Sequence, residues 1–182
     1  GDLDLGQRIA AGDERALESL YARHAQSLLA YVQHMIGDRG AAEEALQDTF
    51  VAIWRGAGSF GQRSTVRTWI FGICRRQALL RLRRGTEGAP QPIALVQQVP
   101  SDTPGPDAVV LARADAAAVR AALAALPAIQ REVLDLVFGA ALSLREVAEV
   151  LGIPVGTVKS RLFHARAALA RALPVDVEMS QP

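Results

Sequence analysis

Residues 142–173 constrain the fold of this chain more than any other stretch of its sequence. They read LSLREVAEVLGIPVGTVKSRLFHARAALARAL, and apolar residues recur every three or four positions on both sides of Gly152 and Pro154. Ser143, followed three residues later by Glu146, is typical of a capping box at the start of a helix. The pattern predicts a helix, a tight break and a second helix, which is the arrangement of a DNA-binding helix-turn-helix.

The second predicted helix has one apolar face and one face of small, polar and basic residues. The apolar residues are expected to pack on the first helix and are Val155, Val158, Leu162, Ala165 and Leu169. The opposite face and its flanks carry cations that can neutralise phosphates, and the helix dipole adds to that attraction. The candidate DNA-contacting residues are Thr157, Lys159, Ser160, Arg161, Phe163 and His164. The alternative interpretation is an ordinary amphipathic helix with a solvated basic face.

A second basic region lies far upstream. Residues 55–84 contain eight arginines and no acidic residue, interleaved with Phe60, Trp69 and Phe71. Arginines mixed with aromatic rings suit the backbone and the unpaired bases of single-stranded nucleic acid, although we expect Trp69 to lie in the core. The preceding residues, 38–54, hold four acids and one arginine, a net charge of −3. Such alternation of charge predicts different partners for different faces.

Composition and proline content indicate a helical chain in two parts. Half of the 182 residues are hydrophobic and only 5% are aromatic, which favours a packed helical protein over a sheet. Prolines and glycines concentrate after residue 85, and because proline disfavours helix they predict a flexible linker. We therefore expect an all-α fold with two small helical domains, residues 1–85 and 107–174, joined by a flexible linker over 86–106. A loose tail is expected over 175–182.

The sequence offers no pattern typical of catalysis or metal binding. Its single cysteine, Cys74, excludes an internal disulfide and a cysteine-cluster zinc site, and we expect it to be a small buried hydrophobe. The histidines His24, His34 and His164 are scattered, and no glycine-rich phosphate loop or nucleophile elbow is present. No segment has the apolar length to span a bilayer, and we expect a protein without a signal peptide. We expect a cytoplasmic protein that is not an enzyme and uses no cofactor or metal.

Several segments resemble parts of bacterial RNA polymerase sigma factors. Residues 42–54, AEEALQDTFVAIW, look like the helix that binds core polymerase, and residues 60–76, FGQRSTVRTWIFGICRR, look like the segment that melts promoters and reads the minus-ten element. Residues 126–138, LPAIQREVLDLVF, and residues 142–169 look like the domain that reads the minus-thirty-five element. With only these two domains and a short linker, the chain is similar to the extracytoplasmic-function group of the family.

The resemblance implies a sigma region 2 helical bundle followed by a sigma region 4 helix-turn-helix. The implied function is that of an alternative-sigma transcription initiation factor, which binds core RNA polymerase, directs it to minus-thirty-five and minus-ten elements and helps to melt DNA. The implied partners are core RNA polymerase, promoter DNA as duplex and as melted non-template strand, and an anti-sigma factor that holds the chain inactive. No membrane insertion is implied. The alternative is a free-standing helix-turn-helix regulator with a sensory N-terminal half.

The resemblance also assigns site residues in the N-terminal half. The positions that match polymerase contacts are Glu44, Gln47, Asp48 and Phe50, and the net negative charge of this helix suits a basic groove on the partner. The positions that match minus-ten contacts are Phe60, Gln62, Arg63, Ser64, Thr65, Arg67, Arg75 and Arg76. Residues 61–66 match the loop that captures a flipped base, which needs a shaped pocket because extruding a base costs free energy.

Two positions depart from the family pattern. Arg76 stands where asparagine is common beside the flipped-base pocket, and His164 stands where arginine is common on the recognition helix. A guanidinium at position 76 suits a phosphate instead of a base edge, and His164 lacks the bidentate guanine contact of an arginine. Both departures are expected to affect which promoter sequence is read.

Overall fold

The computed structural model describes residues 1–60, 64–86 and 116–173, and within these ranges every regular element is helical. The N-terminal half (residues 1–86) contains α1 (Asp2–Ala10), α2 (Glu14–Ile36), α3 (Arg39–Gly56), a 3₁₀ turn (Ala57–Ser59) and α4 (Val66–Thr86). The C-terminal half (residues 116–173) contains α5 (Ala116–Ala125), α6 (Ala128–Leu134), a π-helical turn (Asp135–Gly139), α7 (Leu144–Leu151) and α8 (Val155–Ala172). The predicted all-α fold is confirmed. The linker, apart from Thr86, and the tail lie outside the described residues.

The helix ends follow the local sequence signals. The Asp38 carboxylate accepts a hydrogen bond from the backbone N–H of Ala41 at 2.7 Å and so caps α3. Ser143 and Glu146 form the predicted capping box at the start of α7. Gly152 then ends α7 at a φ of 66°, in the left-handed region where a side chain would be strained. The helix-break-helix is therefore built as the sequence predicts.

Residues 126–138, which resemble part of the domain that reads the minus-thirty-five element, do not form one continuous α-helix. Regular α-helix stops at Leu134, and the chain continues as the π-helical turn, which closes with a 2.8 Å bond from the Ala140 N–H to the Asp135 carbonyl. The turn buries Leu136 and leaves Phe138 half exposed. It also brings Asp135 to the surface of α2, where the carboxylate takes part in the contacts described below.

Each half has its own apolar centre. In the N-terminal half, helices α2, α3 and α4 surround the fully buried side chains of Leu20, Leu28, Ile53, Ile70 and Phe71. In the C-terminal half, the corresponding fully buried residues are Val133, Leu136, Val147 and Val158. Val158 belongs to the face of α8 that the sequence assigns to packing, together with buried Leu162 and Ala165. Both centres thus follow the helical periodicity of the sequence.

The two halves also pack against each other. Helix α7 lies against α4, and the π-helical turn lies against α2, so the buried residues of both halves form one continuous apolar cluster. This contact is not predicted by the sequence, which indicates only two units and a linker. The packing matters for the site because it covers part of α4 with polar groups of the C-terminal half.

Candidate functional site

The exposed face of α3 carries the acidic residues that the sequence assigns to polymerase binding. Gln47 and Glu44 are exposed, and Asp48 is about half exposed. Arg81 of α4 reaches across to this face, where its Nη2 lies 2.8 Å from Asp48 Oδ2 and its Nη1 contacts Glu44. The Arg81 side chain is only 24% exposed, whereas the carboxylates of Glu44 and Asp48 are 63% and 47% exposed. The two carboxylates therefore keep a solvent-facing side while they pair with Arg81.

Phe50 does not lie on this exposed face. Its side chain is 8% exposed and packs on Tyr21, with ring centroids 4.8 Å apart. Helical spacing explains the difference, because Phe50 falls on the same side of α3 as buried Leu46 and Ile53. Phe50 thus supports the helix from inside. The next residue, Val51, is 48% exposed beside the acidic face and carries no signal in the sequence that would have singled it out.

The described residues of the predicted minus-ten set lie just before α4 and along its first half. Phe60 packs on Trp69 with ring centroids 4.9 Å apart, and Trp69 is half-buried at the edge of the core. Ser64, Trp69 and Arg76 line a cleft of about 290 Å³ between α3, α4 and α7. Arg76 is exposed. Gln62 and Arg63 lie outside the described residues.

Three other members of the predicted minus-ten set are bound to the C-terminal half. The Arg67 guanidinium donates to the carbonyl oxygen of Ala140. Arg75 Nε donates to Glu132 Oε1 at 2.9 Å, and the Thr65 hydroxyl donates to Glu146 Oε1 at 2.9 Å. These contacts place the basic face of α4 partly under the C-terminal half.

The Glu132 contact also involves a tyrosine. Tyr31 of α2 donates its hydroxyl to Glu132 Oε1 at 2.9 Å. Burial and the neighbouring carboxylate of Glu132 raise the pKa of Tyr31, so this hydroxyl stays protonated and donates. Burial alone would lower the pKa of Arg75, but its hydrogen bond to Glu132 outweighs that effect and holds the pKa above its ordinary value.

The outer face of α8 presents most of the predicted minus-thirty-five residues to solvent. Exposed on it are Lys159, Ser160, Phe163 and His164, whereas Thr157 and Arg161 are half-buried. Phe163 is the most exposed large apolar residue in the described part of the chain, at 69%, and meets His164 edge-on at 5.6 Å. An exposed ring next to cations can contact a thymine methyl group in the major groove while the cations contact phosphates.

The described residues show no arrangement typical of a metal site or a reactive thiol. No group of three or more histidine, cysteine, aspartate or glutamate side chains in these ranges is placed to hold a metal ion. Cys74 is fully buried, as the sequence predicts, and burial raises the pKa of its thiol to about 12. None of the described helices is long and apolar enough to cross a membrane.

Comparison with known protein families matches both halves. Residues 20–87 match the family described as Sigma-70 region 2, and residues 116–169 match the family described as Sigma-70, region 4. The RNA polymerase sigma factor CnrH of Cupriavidus metallidurans is 34% identical over 185 residues, covering 97% of this chain and 96% of that protein. The ECF RNA polymerase sigma factor SigM of Mycobacterium tuberculosis is 34% identical over 172 residues, covering 94% and 84%.

Two solved structures share the fold across most of the chain. The structure of CnrH in complex with the cytosolic domain of CnrY has a TM-score of 0.67 at 28% identity, covering 93% of this chain and 95% of that one. The structure of RpoE in complex with the anti-sigma factor NepR from Bartonella quintana has a TM-score of 0.71 at 26% identity, covering 87% and 97%.

Proposed function

The chain belongs to the extracytoplasmic-function group of RNA polymerase sigma factors, which are transcription initiation factors. We propose that three of its surfaces each bind a different partner during initiation. The acidic face of α3 binds core polymerase, the first half of α4 with the residues just before it binds the minus-ten element, and the outer face of α8 binds the minus-thirty-five element. The observation that carries this division is the presence of two separate cationic surfaces on one small chain. We also propose that residues 1–85 and residues 107–174 form the two domains.

The minus-thirty-five proposal rests on the exposure of α8. Lys159 and Ser160 are exposed on the second helix of a helix-turn-helix, the position that enters the major groove in such units. A single module of this size buries only about 600–1,000 Å² of protein on DNA, which gives modest affinity. Attachment to polymerase raises its effective concentration at the promoter. The module therefore acts as part of a larger assembly.

The minus-ten proposal rests on the combination of Trp69, Arg76 and the cleft beside them. An aromatic ring stabilises a stacked base by about 1–3 kcal/mol, and cations nearby neutralise the strand that carries it. Melting a few base pairs is then offset by binding of the unpaired strand. No covalent chemistry is needed, so the proposed role is not that of an enzyme and involves no cofactor.

The polymerase-binding proposal rests on Glu44, Gln47 and Asp48. Their side chains face solvent, and the two carboxylates remain 63% and 47% exposed while they pair with Arg81, so a basic groove can contact them from the solvent side. Phe50 contributes by packing α3 against the core and not by direct contact with polymerase.

A proteinaceous inhibitor is the fourth partner in this proposal. The two structures with the same fold are complexes, one with the cytosolic domain of CnrY and the other with the anti-sigma factor NepR. We infer that an anti-sigma factor likewise binds this chain in the cytoplasm and holds it away from polymerase.

Transcription with purified components tests the function. Sigma-free core polymerase, supplied with this chain and genomic fragments of the source organism, should start transcripts at a defined set of promoters. Lys159→Ala should weaken promoter binding and reduce the salt dependence of binding, because one phosphate contact is lost. Arg171→Ala, an exposed cation in the last turn of α8, is the matched control and should change neither. Failure of the chain to bind polymerase would favour the free-standing regulator.

A further inference from the structure

We propose that helix α1 is a positioning element for the minus-ten surface: α1 packs on Phe60, Phe60 in turn supports Trp69, and the carboxylate of Asp2 anchors α1 to α2. This proposal rests on the assignment of Phe60 and Trp69 to the minus-ten surface under the proposed function. Helix α1 precedes residue 20, where the match to the Sigma-70 region 2 family begins. Neither the sequence pattern nor the family match gives this helix a role.

One face of α1 packs on the N-terminal half close to the point where α4 begins. Leu5 and Ile9 on this face are buried, and the helix contacts α2, α3, α4 and the 3₁₀ turn. Gly6 is buried on the same side of the helix. A glycine inside a helix weakens the helix, so its presence at a buried position indicates a packing requirement.

The packing requirement at Gly6 is the close approach of Phe60 and Val66. A Cβ at position 6 would lie 3.3 Å from Val66 Cγ2 and 3.8 Å from Phe60 Cδ1. A larger side chain has no room there unless α1 or its neighbours move, because protein interiors are closely packed. Val66 is fully buried and is the first residue of α4. Helix α1 therefore contacts both the beginning of α4 and the aromatic ring that precedes it.

Phe60 connects this contact to Trp69. The two rings have centroids 4.9 Å apart and an interplanar angle of 44°, which is a favourable separation for an aromatic pair. Trp69 also contacts the end of α3, where a Cβ at Gly56 would lie 3.8 Å from Trp69 Cζ2. Only the contact with Phe60 depends on α1. A ring that is already fixed binds a stacked base more tightly, because no side-chain ordering has to accompany binding.

Polar contacts tie both ends of α1 to α2. Asp2 Oδ1 accepts from Arg23 Nη1 at 2.8 Å, and Asp2 Oδ2 accepts from Nε2 of buried His24 at 2.9 Å. Burial acts to raise the pKa of Asp2, but the hydrogen bonds from Arg23 and His24 outweigh this and hold the pKa below its ordinary value. At the other end, Arg8 Nε donates at 2.8 Å to Asp13, which caps α2. These contacts fix the position of Gly6 relative to the bundle.

Gly6→Leu in the polymerase holoenzyme is the direct test. On a promoter found by the transcription test above, opening should fall about fivefold or more, the lower limit of what one stacked base contributes. Acrylamide quenching of Trp69 fluorescence, read in a Trp54→Phe background, should increase. Affinity for core polymerase should stay unchanged, because the acidic face of α3 does not contact Gly6.

Gln7→Leu is the matched control for Gly6→Leu, because it adds the same side chain at the adjacent, exposed position of α1. It should change neither promoter opening nor quenching. Normal promoter opening by G6L, or an equal loss in Q7L, would overturn the proposal. A parallel loss of polymerase binding in G6L would indicate general damage to the bundle and would overturn it as well.

Asp2→Asn tests the anchor without altering a residue that touches Phe60. Asn keeps the shape of the side chain but loses the charge that pairs with Arg23, so α1 should be held less firmly and promoter opening should fall severalfold. Asp4→Asn is the control, because Asp4 is an exposed acid of the same helix whose carboxylate lies 3.8 Å from Arg8. Equal promoter opening by D2N and D4N would overturn the role of Asp2 as the anchor.

Phe60→Ala in the holoenzyme separates this proposal from the function on which it rests. Reduced promoter opening by F60A, together with normal opening by G6L, would leave the minus-ten assignment intact and reject the role of α1. Undiminished opening by F60A would remove Phe60 from the minus-ten surface and overturn the role of α1 as well. Reduced opening by both F60A and G6L, with unchanged polymerase binding, supports both.

Discussion

His34 Nδ1 on α2 lies 2.9 Å from Asp135 Oδ1 in the π-helical turn. This contact joins the two halves near the cluster formed by Glu132, Tyr31 and Arg75. The hydrogen bond to Asp135 raises the pKa of His34, outweighing burial and the nearby charge of Arg131, both of which lower it. Protonation of His34 therefore strengthens the contact. Because the side chain is 54% exposed, the gain is at most about 1 kcal/mol.

The first prediction is that the free energy of unfolding falls as pH rises from 6 to 8.5. A raised histidine pKa gives a contribution that is complete below the unfolded pKa of about 6.5 and is lost as pH rises through the folded value. Urea unfolding of the wild type and of His34→Gln across this range measures it. The variant should lose this part of the slope, and parallel curves for the two proteins would contradict the prediction. The charges facing His34 from the packed elements are Asp135 and Arg131, with Glu132 and Arg75 in the adjoining cluster.

The second prediction concerns Glu146, which both caps α7 and holds α4. Burial acts to raise its pKa, but hydrogen bonds from Ser143, Thr65 and Thr68 outweigh this and hold the pKa below its ordinary value. Glu146→Gln should cost about 1 kcal/mol of unfolding free energy at neutral pH, measured in urea, because Gln keeps the shape of the capping box but accepts weaker hydrogen bonds than a carboxylate. The native contribution is present above the unfolded pKa of about 4.3 and is lost as pH falls through the folded value.

The matched control for that prediction is Glu149→Gln. Glu149 is an exposed acid on the same helix, and the contacts with Thr65, Thr68 and Ser143 are made by Glu146 and not by Glu149. Its replacement should change stability by less than about 0.5 kcal/mol. Equal losses in E146Q and E149Q would indicate a general charge effect instead of a specific cap and contact.

The third prediction separates stability from DNA binding at Phe163. Phe163→Ala should leave the melting temperature nearly unchanged, because the ring is 69% exposed and meets the ring of His164, which is itself exposed. Promoter affinity of the holoenzyme should fall, since an apolar contact in the major groove is lost. Ile129→Ala, another exposed apolar residue of the C-terminal half, is the control and should affect neither. Equal promoter affinity for F163A and wild type would remove Phe163 from the DNA-contacting face.

The fourth prediction is that the Cys74 thiol does not react with thiol reagents in the folded chain. Its thiol is fully buried and its pKa is raised to about 12, so almost no thiolate forms near neutral pH. Reaction with Ellman's reagent should follow the rate of unfolding and become rapid in urea. Fast modification of the native protein would require an opening of α4 that the packed core does not provide.

The sequence predicts the individual helices well because their signals are local. Asp38 and Ser143 cap helices α3 and α7 using backbone groups within three residues, and Gly152 ends α7 through its own φ angle. These interactions do not depend on the rest of the molecule. The buried face of α8 is equally local, because helical spacing alone aligns Val158, Leu162 and Ala165.

The candidate site is predicted less completely. Exposure of Lys159, Phe163 and His164 agrees with the amphipathic pattern of α8. Phe50, which the family resemblance assigns to polymerase contacts, is instead 8% exposed and packs on Tyr21 of α2, as its helical spacing from Leu46 and Ile53 indicates.

The sequence by itself determines two helical units, their caps, their basic surfaces and the acidic face of α3, because each follows from residues within a few turns of one another. Only the tertiary structure decides that Arg75 donates to Glu132, which is 57 residues away, and that Tyr31 joins them across 101 residues. The charge pattern of a sequence cannot distinguish an arginine that is free to bind a phosphate from one that is already bound to a carboxylate. That distinction depends on burial and distance, which arise only when the two halves pack together.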